Sequence, residues 1–141
     1  MSKPTRSIEK DFVVISPEKS ATIESFDSTL YERLDKNYGG FRGCELISCY
    51  EFSEDWSTWE MHPKGDEVVI LLSGEVTLVM QLDDGERSVS LKKIGEYAIV
   101  PKCTWHTAKT SVKTKMLFIT PGEGTQNKEF LGADENYALD N

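Results

Sequence analysis

The chain has 141 residues, 38% of them hydrophobic and 28% charged, a composition typical of one folded domain that excludes a disordered chain. Its net charge of −8 argues against a nucleic-acid partner, because phosphate binding needs a surface rich in lysine and arginine. No apolar stretch approaches the roughly 20 residues that cross a bilayer, and the polar N-terminus lacks a secretion signal. We therefore expect a cytoplasmic protein without a membrane partner.

The first third of the chain is predicted to hold one strand and one helix. Residues 1–10 are expected to form a flexible tail, and residues 11–43 a strand and a helix that pack on the rest of the domain. A short apolar run at residues 11–15 predicts the strand. A helix is predicted over residues 27–38, because apolar side chains recur there every four residues, at Phe26, Leu30, Leu34 and Tyr38.

The middle of the chain is predicted to be entirely β. Between residues 44 and 121, runs with alternating polarity are separated by short turns with glycine or proline. The predicted strands are residues 44–52, 57–62, 67–73, 75–82, 87–92, 97–100, 105–109 and 113–120. Many short strands at this spacing indicate an all-β sandwich or barrel. Residues 122–141 are polar and acidic and are predicted to form a C-terminal extension, with a short helical turn near residues 135–139.

Four side chains in this β region could bind one divalent metal ion. They are Glu60, His62, Glu67 and His106, which include the chain's only two histidines. Glu60 and His62 are two apart on one strand and share a face, and a short turn returns Glu67 beside His62. Two imidazoles and two carboxylates suit Fe(II), Mn(II), Ni(II) or Zn(II), and the spacing does not rank these metals.

The same alternation predicts the residues that line a pocket around these ligands. Trp56 and Thr58 project to the same face as Glu60 and His62, and Thr104 and Ala108 share a face with His106. No catalytic acid, base or nucleophile can be assigned from the sequence. Cys103, three residues before His106, is interpreted as a small residue accommodated in a turn.

The residues around the first three candidate ligands form a recognisable motif. They read Glu60-x-His62-(x)4-Glu67-(x)6-Gly74. This resembles the first motif of the cupin superfamily, Gly-(x)5-His-x-His-(x)3–4-Glu-(x)6-Gly. Glu54 stands at the position of the first glycine, and Glu60 replaces the first histidine with another metal-binding side chain.

A second stretch resembles the second cupin motif, Gly-(x)5-Pro-x-Gly-(x)2-His-(x)3-Asn. Here it reads Gly95-(x)5-Pro101-x-Cys103-(x)2-His106-(x)3-Thr110. Cys103 replaces a turn glycine, so this turn must tolerate a β-carbon. The two motifs occur in the right order, and the resemblance covers roughly residues 44 to 121.

The resemblance implies the fold and the type of function. It implies a double-stranded β-helix, or jelly-roll barrel, with the four ligands converging inside it, and a homodimer. It also implies a metal-dependent enzyme of dioxygenase, isomerase or lyase type that acts on a small organic molecule in the barrel. Two other hypotheses stay open: a non-catalytic cupin that binds or senses a small ligand, with or without metal, and a structural dimer whose metal site has lapsed.

Overall fold

The computed structural model describes residues 5–129. The predicted helical turn near residues 135–139 lies outside the described residues, as do the first four residues of the predicted tail. Within the described part, no helix is long and apolar enough to cross a membrane.

The described residues form one helix and eleven strands. The helix is α1 (Leu30–Asn37). The strands are β1 (Asp11–Ile15), β2 (Ala21–Ser25), β3 (Glu45–Phe52), β4 (Thr58–Met61), β5 (Glu67–Ser73), β6 (Val76–Leu82), β7 (Gly85–Leu91), β8 (Tyr97–Val100), β9 (His106–Lys109), β10 (Thr114–Thr120) and β11 (Gln126–Glu129). The prediction of an all-β jelly roll is confirmed, and all eight strands predicted between residues 44 and 121 form, with bounds that match or differ by one or two residues.

The strands make two antiparallel sheets. The six-stranded sheet has the order β2-β1-β3-β10-β5-β8, and the five-stranded sheet has the order β11-β4-β9-β6-β7. Alternate side chains of both sheets meet in one apolar core, which includes Val69, Leu71, Leu78, Met116 and Phe118. Strands that neighbour each other across this core are far apart in sequence, so residues from distant motifs come together.

The N-terminal segment is part of the six-stranded sheet. Strand β1 pairs with β3, and Phe12 and Val14 pack with Leu30 and Leu34 of α1 in a second apolar cluster. The helix begins three residues later than predicted. Asp27 accepts hydrogen bonds from the backbone N–H and the hydroxyl of Thr29, which holds the preceding residues in a turn.

Two strands were not predicted from the sequence. Strand β2 pairs with β1 at one edge of the six-stranded sheet, and Ile23 remains 40% exposed there. Strand β11 consists of Gln-Asn-Lys-Glu and pairs with β4, within the stretch predicted to be a surface extension. Neither strand buries one face completely, so neither shows the alternating polarity on which strand prediction depends.

We expect replacement of Gly74 by alanine to destabilise the fold by about 3 kcal/mol. The strain of a left-handed backbone conformation and the steric overlap of the new β-carbon add to each other. Gly74 has a φ of 81°, and a β-carbon there would lie 2.4 Å from the carbonyl oxygen of Lys113. Gly39 is the matched control, because its φ is 60° but a β-carbon would meet no atom within 4 Å. Chemical denaturation measures both variants. Equal destabilisation of about 1 kcal/mol would contradict the overlap at Gly74.

Candidate metal centre

The four candidate ligands come from the ends of three strands. Glu60 lies on β4, His62 follows that strand, Glu67 opens β5 and His106 opens β9. Glu60 and His106 are direct partners in the antiparallel β4–β9 pair. His62, Glu67 and His106 are buried, whereas the Glu60 side chain is 32% exposed.

The structure places both glutamate carboxylates close to Nε2 of both histidines. Oε1 of Glu67 lies 3.1 Å from Nε2 of His106 and 3.5 Å from Nε2 of His62. Oε1 of Glu60 lies 3.7 Å from Nε2 of His62 and 3.9 Å from Nε2 of His106. Glu60 and the two histidines each offer a ligand atom within 4.8 Å of the others.

Hydrogen bonds fix the orientation of both imidazole rings. Nδ1 of His106 lies 3.0 Å from the Thr104 carbonyl oxygen, which can only accept, so Nδ1 carries a proton. Nδ1 of His62 lies 2.8 Å from Oγ1 of Thr125, whose own proton is donated to the Gly122 carbonyl. Nδ1 of His62 therefore donates as well. In the neutral form of each ring, Nε2 is left with a free lone pair.

This arrangement leaves three buried acceptor atoms facing one another. Nε2 of His62, Nε2 of His106 and Oε1 of Glu67 have no hydrogen-bond partner among the described residues. Three lone pairs at these distances repel one another unless a positive charge lies between them. A divalent cation satisfies all three atoms at once, and outward Nδ1–H donation is the arrangement that metal-binding histidines show. The residues therefore fit a metal.

The charges of the site shift the pKa values of its members. Burial raises the pKa of Glu67, but the His106 and His62 imidazoles outweigh burial and lower it to about 2. Burial lowers the pKa of His106, but the Glu67 carboxylate outweighs burial and raises it overall. Burial and the nearby Glu67 charge raise the pKa of Glu60. Glu67 is thus an ionised, buried carboxylate, and its low pKa depends on positive charge beside it, from a protonated imidazole or from a bound cation.

Two threonines support the ligands, and the sequence analysis missed both. Thr120 donates a hydrogen bond of 2.6 Å to Oε2 of Glu67, which leaves Oε1 to face the histidines. Thr125 accepts from His62, as described above. Thr120 ends a predicted strand, and its alternation with buried Phe118 was a usable signal. Thr125 lies in a loop, where the sequence offers no periodic signal.

The turn before His106 has the geometry that the second motif predicts. Cys103 has a φ of 63°, the left-handed conformation that glycine usually adopts. Its N–H donates to the His62 carbonyl at 2.9 Å, and the Lys102 N–H donates to Asp66. These bonds join the two motif turns, and Cys103 is exposed, in agreement with its interpretation as a tolerated turn residue.

A cavity of about 1090 Å³ opens beside the ligands, and Glu60, His62 and Glu67 form part of its wall. Of the four residues predicted to line a pocket, Trp56 and Thr58 line this cavity. Thr104 and Ala108 are not among the lining residues: Ala108 is fully buried in the apolar core, and Thr104 contributes its carbonyl to His106. His106 is fully buried and is not among the residues that line the cavity.

Comparison with known proteins identifies the fold. No family model and no curated protein matches the chain. Among solved structures, an oxalate oxidase in complex with glycolate is 15% identical with a TM-score of 0.50, covering 58% of this chain and 45% of that one. A cupin-2 domain protein from Shewanella frigidimarina is 22% identical with a TM-score of 0.47, covering 55% and 70%. A hydroquinone 1,2-dioxygenase from Sphingomonas sp. TTNP3 with bound 4-hydroxybenzoate is 15% identical with a TM-score of 0.46, covering 54% and 58%.

The likeness to the oxalate oxidase shows the fold alone: the two antiparallel sheets form the cupin-type jelly roll that the two motifs predicted. The chain spans less than half the length of the oxalate oxidase that it resembles.

Proposed function

We propose that Glu60, His62, Glu67 and His106 together hold one divalent metal ion, and that the chain is a metal-dependent enzyme acting on a small organic molecule in the adjacent cavity. The observation that carries this proposal is the convergence of three buried, unpartnered acceptor atoms beside a cavity large enough for a substrate. Pockets that bind small molecules typically measure about 300–1,000 Å³.

The distances between the ligand atoms support a transition metal. With bonds of about 2.1 Å, neighbouring ligand atoms lie about 3.0 Å apart around an octahedral ion and about 3.4 Å apart around a tetrahedral ion. The four observed nitrogen–oxygen separations, 3.1 to 3.9 Å, are short enough for one such ion to contact all four side chains. Two nitrogen and two oxygen ligands suit Fe(II), Mn(II), Ni(II) or Zn(II).

The protein's own contribution is to fix the ligands and to leave one side of the site accessible. When bound, the metal supplies Lewis-acid or redox chemistry. Thr120 and Thr125 hold Glu67 and His62 in place, and His106 is fully buried. Glu60, the most exposed of the four ligands, faces the cavity from which a substrate would approach. Trp56 lies next to this approach, with its ring 6.4 Å from that of His106.

Metal titration of tag-free, chelator-stripped protein tests the proposal. We expect one Fe(II), Mn(II), Ni(II) or Zn(II) per chain by elemental analysis, with a rise in the melting temperature, because a ligand that binds only the folded state stabilises it. Glu67→Gln should lose this rise, and the exposed Glu75→Gln should keep it. Failure of all four metals to bind or stabilise would contradict the proposal. A bound metal whose coordination is completed by protein atoms alone would instead favour a non-catalytic binding or sensory role.

We also propose that a second copy of the chain covers the outer face of β5 and β8. Tyr97 and Ile99 on β8 are 62% and 52% exposed, and they pair with half-buried Ile70 and Val68 on β5. This patch carries no charge, so two acidic chains can approach each other through it with little repulsion. By light scattering we expect a dimer that Ile99→Glu converts to a monomer, whereas Val112→Glu, in a turn, leaves it intact. A monomeric wild-type chain would contradict this proposal.

A further inference from the structure

The wall of the cavity described above is acidic and contains no lysine or arginine side chain. Among the described residues that line it there is no lysine or arginine, although the chain has 16 of these residues. Apart from the candidate metal ligands, four acidic residues line it: Asp35, Glu51, Glu54 and Asp55. Glu51 forms an exposed ion pair with Lys113, whose Nζ lies 3.9 Å from its carboxylate. The remaining three give the cavity a negative potential.

The proposed metal centre does not make the potential of the cavity positive. The following argument rests on the proposed function, in which a divalent cation binds between ionised Glu60 and Glu67. Two positive charges and two carboxylates sum to zero, so the centre adds no net charge to the cavity. An incoming anion would therefore meet no compensating side chain along the lining, whereas a cation would be attracted by the carboxylates.

Aromatic rings form the apolar part of the same wall. Trp56 lies at their centre, with ring centroids 5.8 Å from Phe52 and 5.9 Å from Phe118. Tyr50 lies 6.0 Å from Phe118, and its hydroxyl is hydrogen-bonded to that of Tyr31 from α1. Aromatic faces attract an ammonium group, and tryptophan does so most strongly. The tyrosine oxygens can in addition accept hydrogen bonds from an amine.

The cavity also opens onto the buried atoms that the proposed function assigns to the metal, so a ligand in it lies beside the metal centre. Nε2 of His62 and Oε1 of Glu67 belong to side chains that are 5% and 3% exposed, and both residues form part of the cavity wall. The acidic residues, the aromatic wall and the unpartnered polar atoms thus belong to one continuous space. We propose that this cavity selects a small organic cation, an amine or ammonium with an apolar body, and discriminates against carboxylates and phosphates.

The test compares three probes of similar size and different charge on metal-loaded protein: phenethylammonium, 2-phenylethanol and 3-phenylpropionate. By isothermal titration calorimetry, we expect phenethylammonium to bind at least about tenfold more tightly than either other probe. Its affinity should decrease as salt is added, because salt screens the acidic residues. Tighter binding of 3-phenylpropionate, equal binding of 2-phenylethanol, or no binding of phenethylammonium would each overturn the proposal.

Two double variants separate the effect of charge in the cavity from the effect of the net charge of the protein. Glu54→Gln with Asp55→Asn removes two charges and retains the acceptor that Asp55 offers to the Thr110 N–H. We expect this pair to reduce the preference for the cation over the alcohol several-fold. Asp83→Asn with Asp84→Asn removes the same charge from the β6–β7 turn, outside the cavity lining, and should leave the preference unchanged. Equal effects of both pairs would show that only net charge matters and would overturn the proposal.

The contribution of Trp56 to binding of the cation is tested separately. Trp56→Leu should weaken phenethylammonium binding more than 2-phenylethanol binding, since only the cation gains from the ring face. An equal loss for both probes would indicate packing alone and would contradict the assigned role of Trp56.

Elemental analysis of the same samples separates this inference from the proposed function. Absence of metal refutes the proposed function, whereas normal metal content with preference for the anion refutes only the choice of substrate class.

Discussion

Replacing His106 with glutamine is expected to weaken metal binding by more than about 100-fold, because loss of a supporting partner alone typically costs 10–100-fold and His106 is itself a proposed ligand. The imidazole is fully buried, and its Nε2 lies 3.1 Å from Glu67. Glutamine can retain the contact to Thr104 but does not place a nitrogen lone pair at this point. Competition with a metal-binding dye measures the affinity.

Two controls make this result interpretable. Lys109→Gln changes an exposed side chain on the same strand and should bind metal like the wild type. Circular dichroism of the metal-free His106→Gln protein establishes that the fold is retained. If that variant does not fold, Glu60→Gln, at the most exposed of the four ligands, provides the second measurement. Wild-type metal affinity in either folded variant would contradict the four-ligand site.

Replacing Thr125 with valine is expected to weaken metal binding by about 10–100-fold without removing any ligand. Thr125 accepts the Nδ1 proton of His62 at 2.8 Å and thereby leaves Nε2 free for the metal. Valine keeps the shape of the side chain but loses the oxygen, so His62 is no longer held in one tautomer. Dye competition and NMR of the imidazole nitrogens measure the two effects.

The matched control for this prediction is Thr125→Ser, which keeps the hydroxyl that links His62 to the Gly122 carbonyl. We expect the serine variant to bind metal within a few-fold of the wild type. If valine and serine bind equally well, the hydroxyl has no part in orienting His62.

Most of the barrel could be predicted because its strands bury one face. Strands such as β6 alternate between buried Val76 and Leu78 and half-buried Thr77, and this alternation is visible in the sequence. The motif spacing also placed Cys103 in a turn at a position where glycine is usual, and the structure gives this residue a φ of 63°. Local sequence is informative wherever burial or backbone geometry restricts the choice of residue.

The remaining features depend on contacts between distant segments. Strand β11 is polar and forms because β4 offers it an edge, so no local pattern marks it. Face alternation predicted Ala108 as a pocket residue, but packing of the two sheets buries it in the core. The proton positions on His62 depend on Thr125, which is 63 residues away in the sequence. Such partners are set by tertiary structure and cannot be inferred from spacing.

The most direct test of the four-ligand site is a crystal structure of the metal-loaded protein with anomalous scattering measured at the absorption edge of the metal. We expect one peak per chain, about 2.0–2.3 Å from Nε2 of His62, Nε2 of His106 and one carboxylate oxygen each of Glu60 and Glu67. A peak held by other residues, or no peak at this point in protein saturated with metal, would contradict the account.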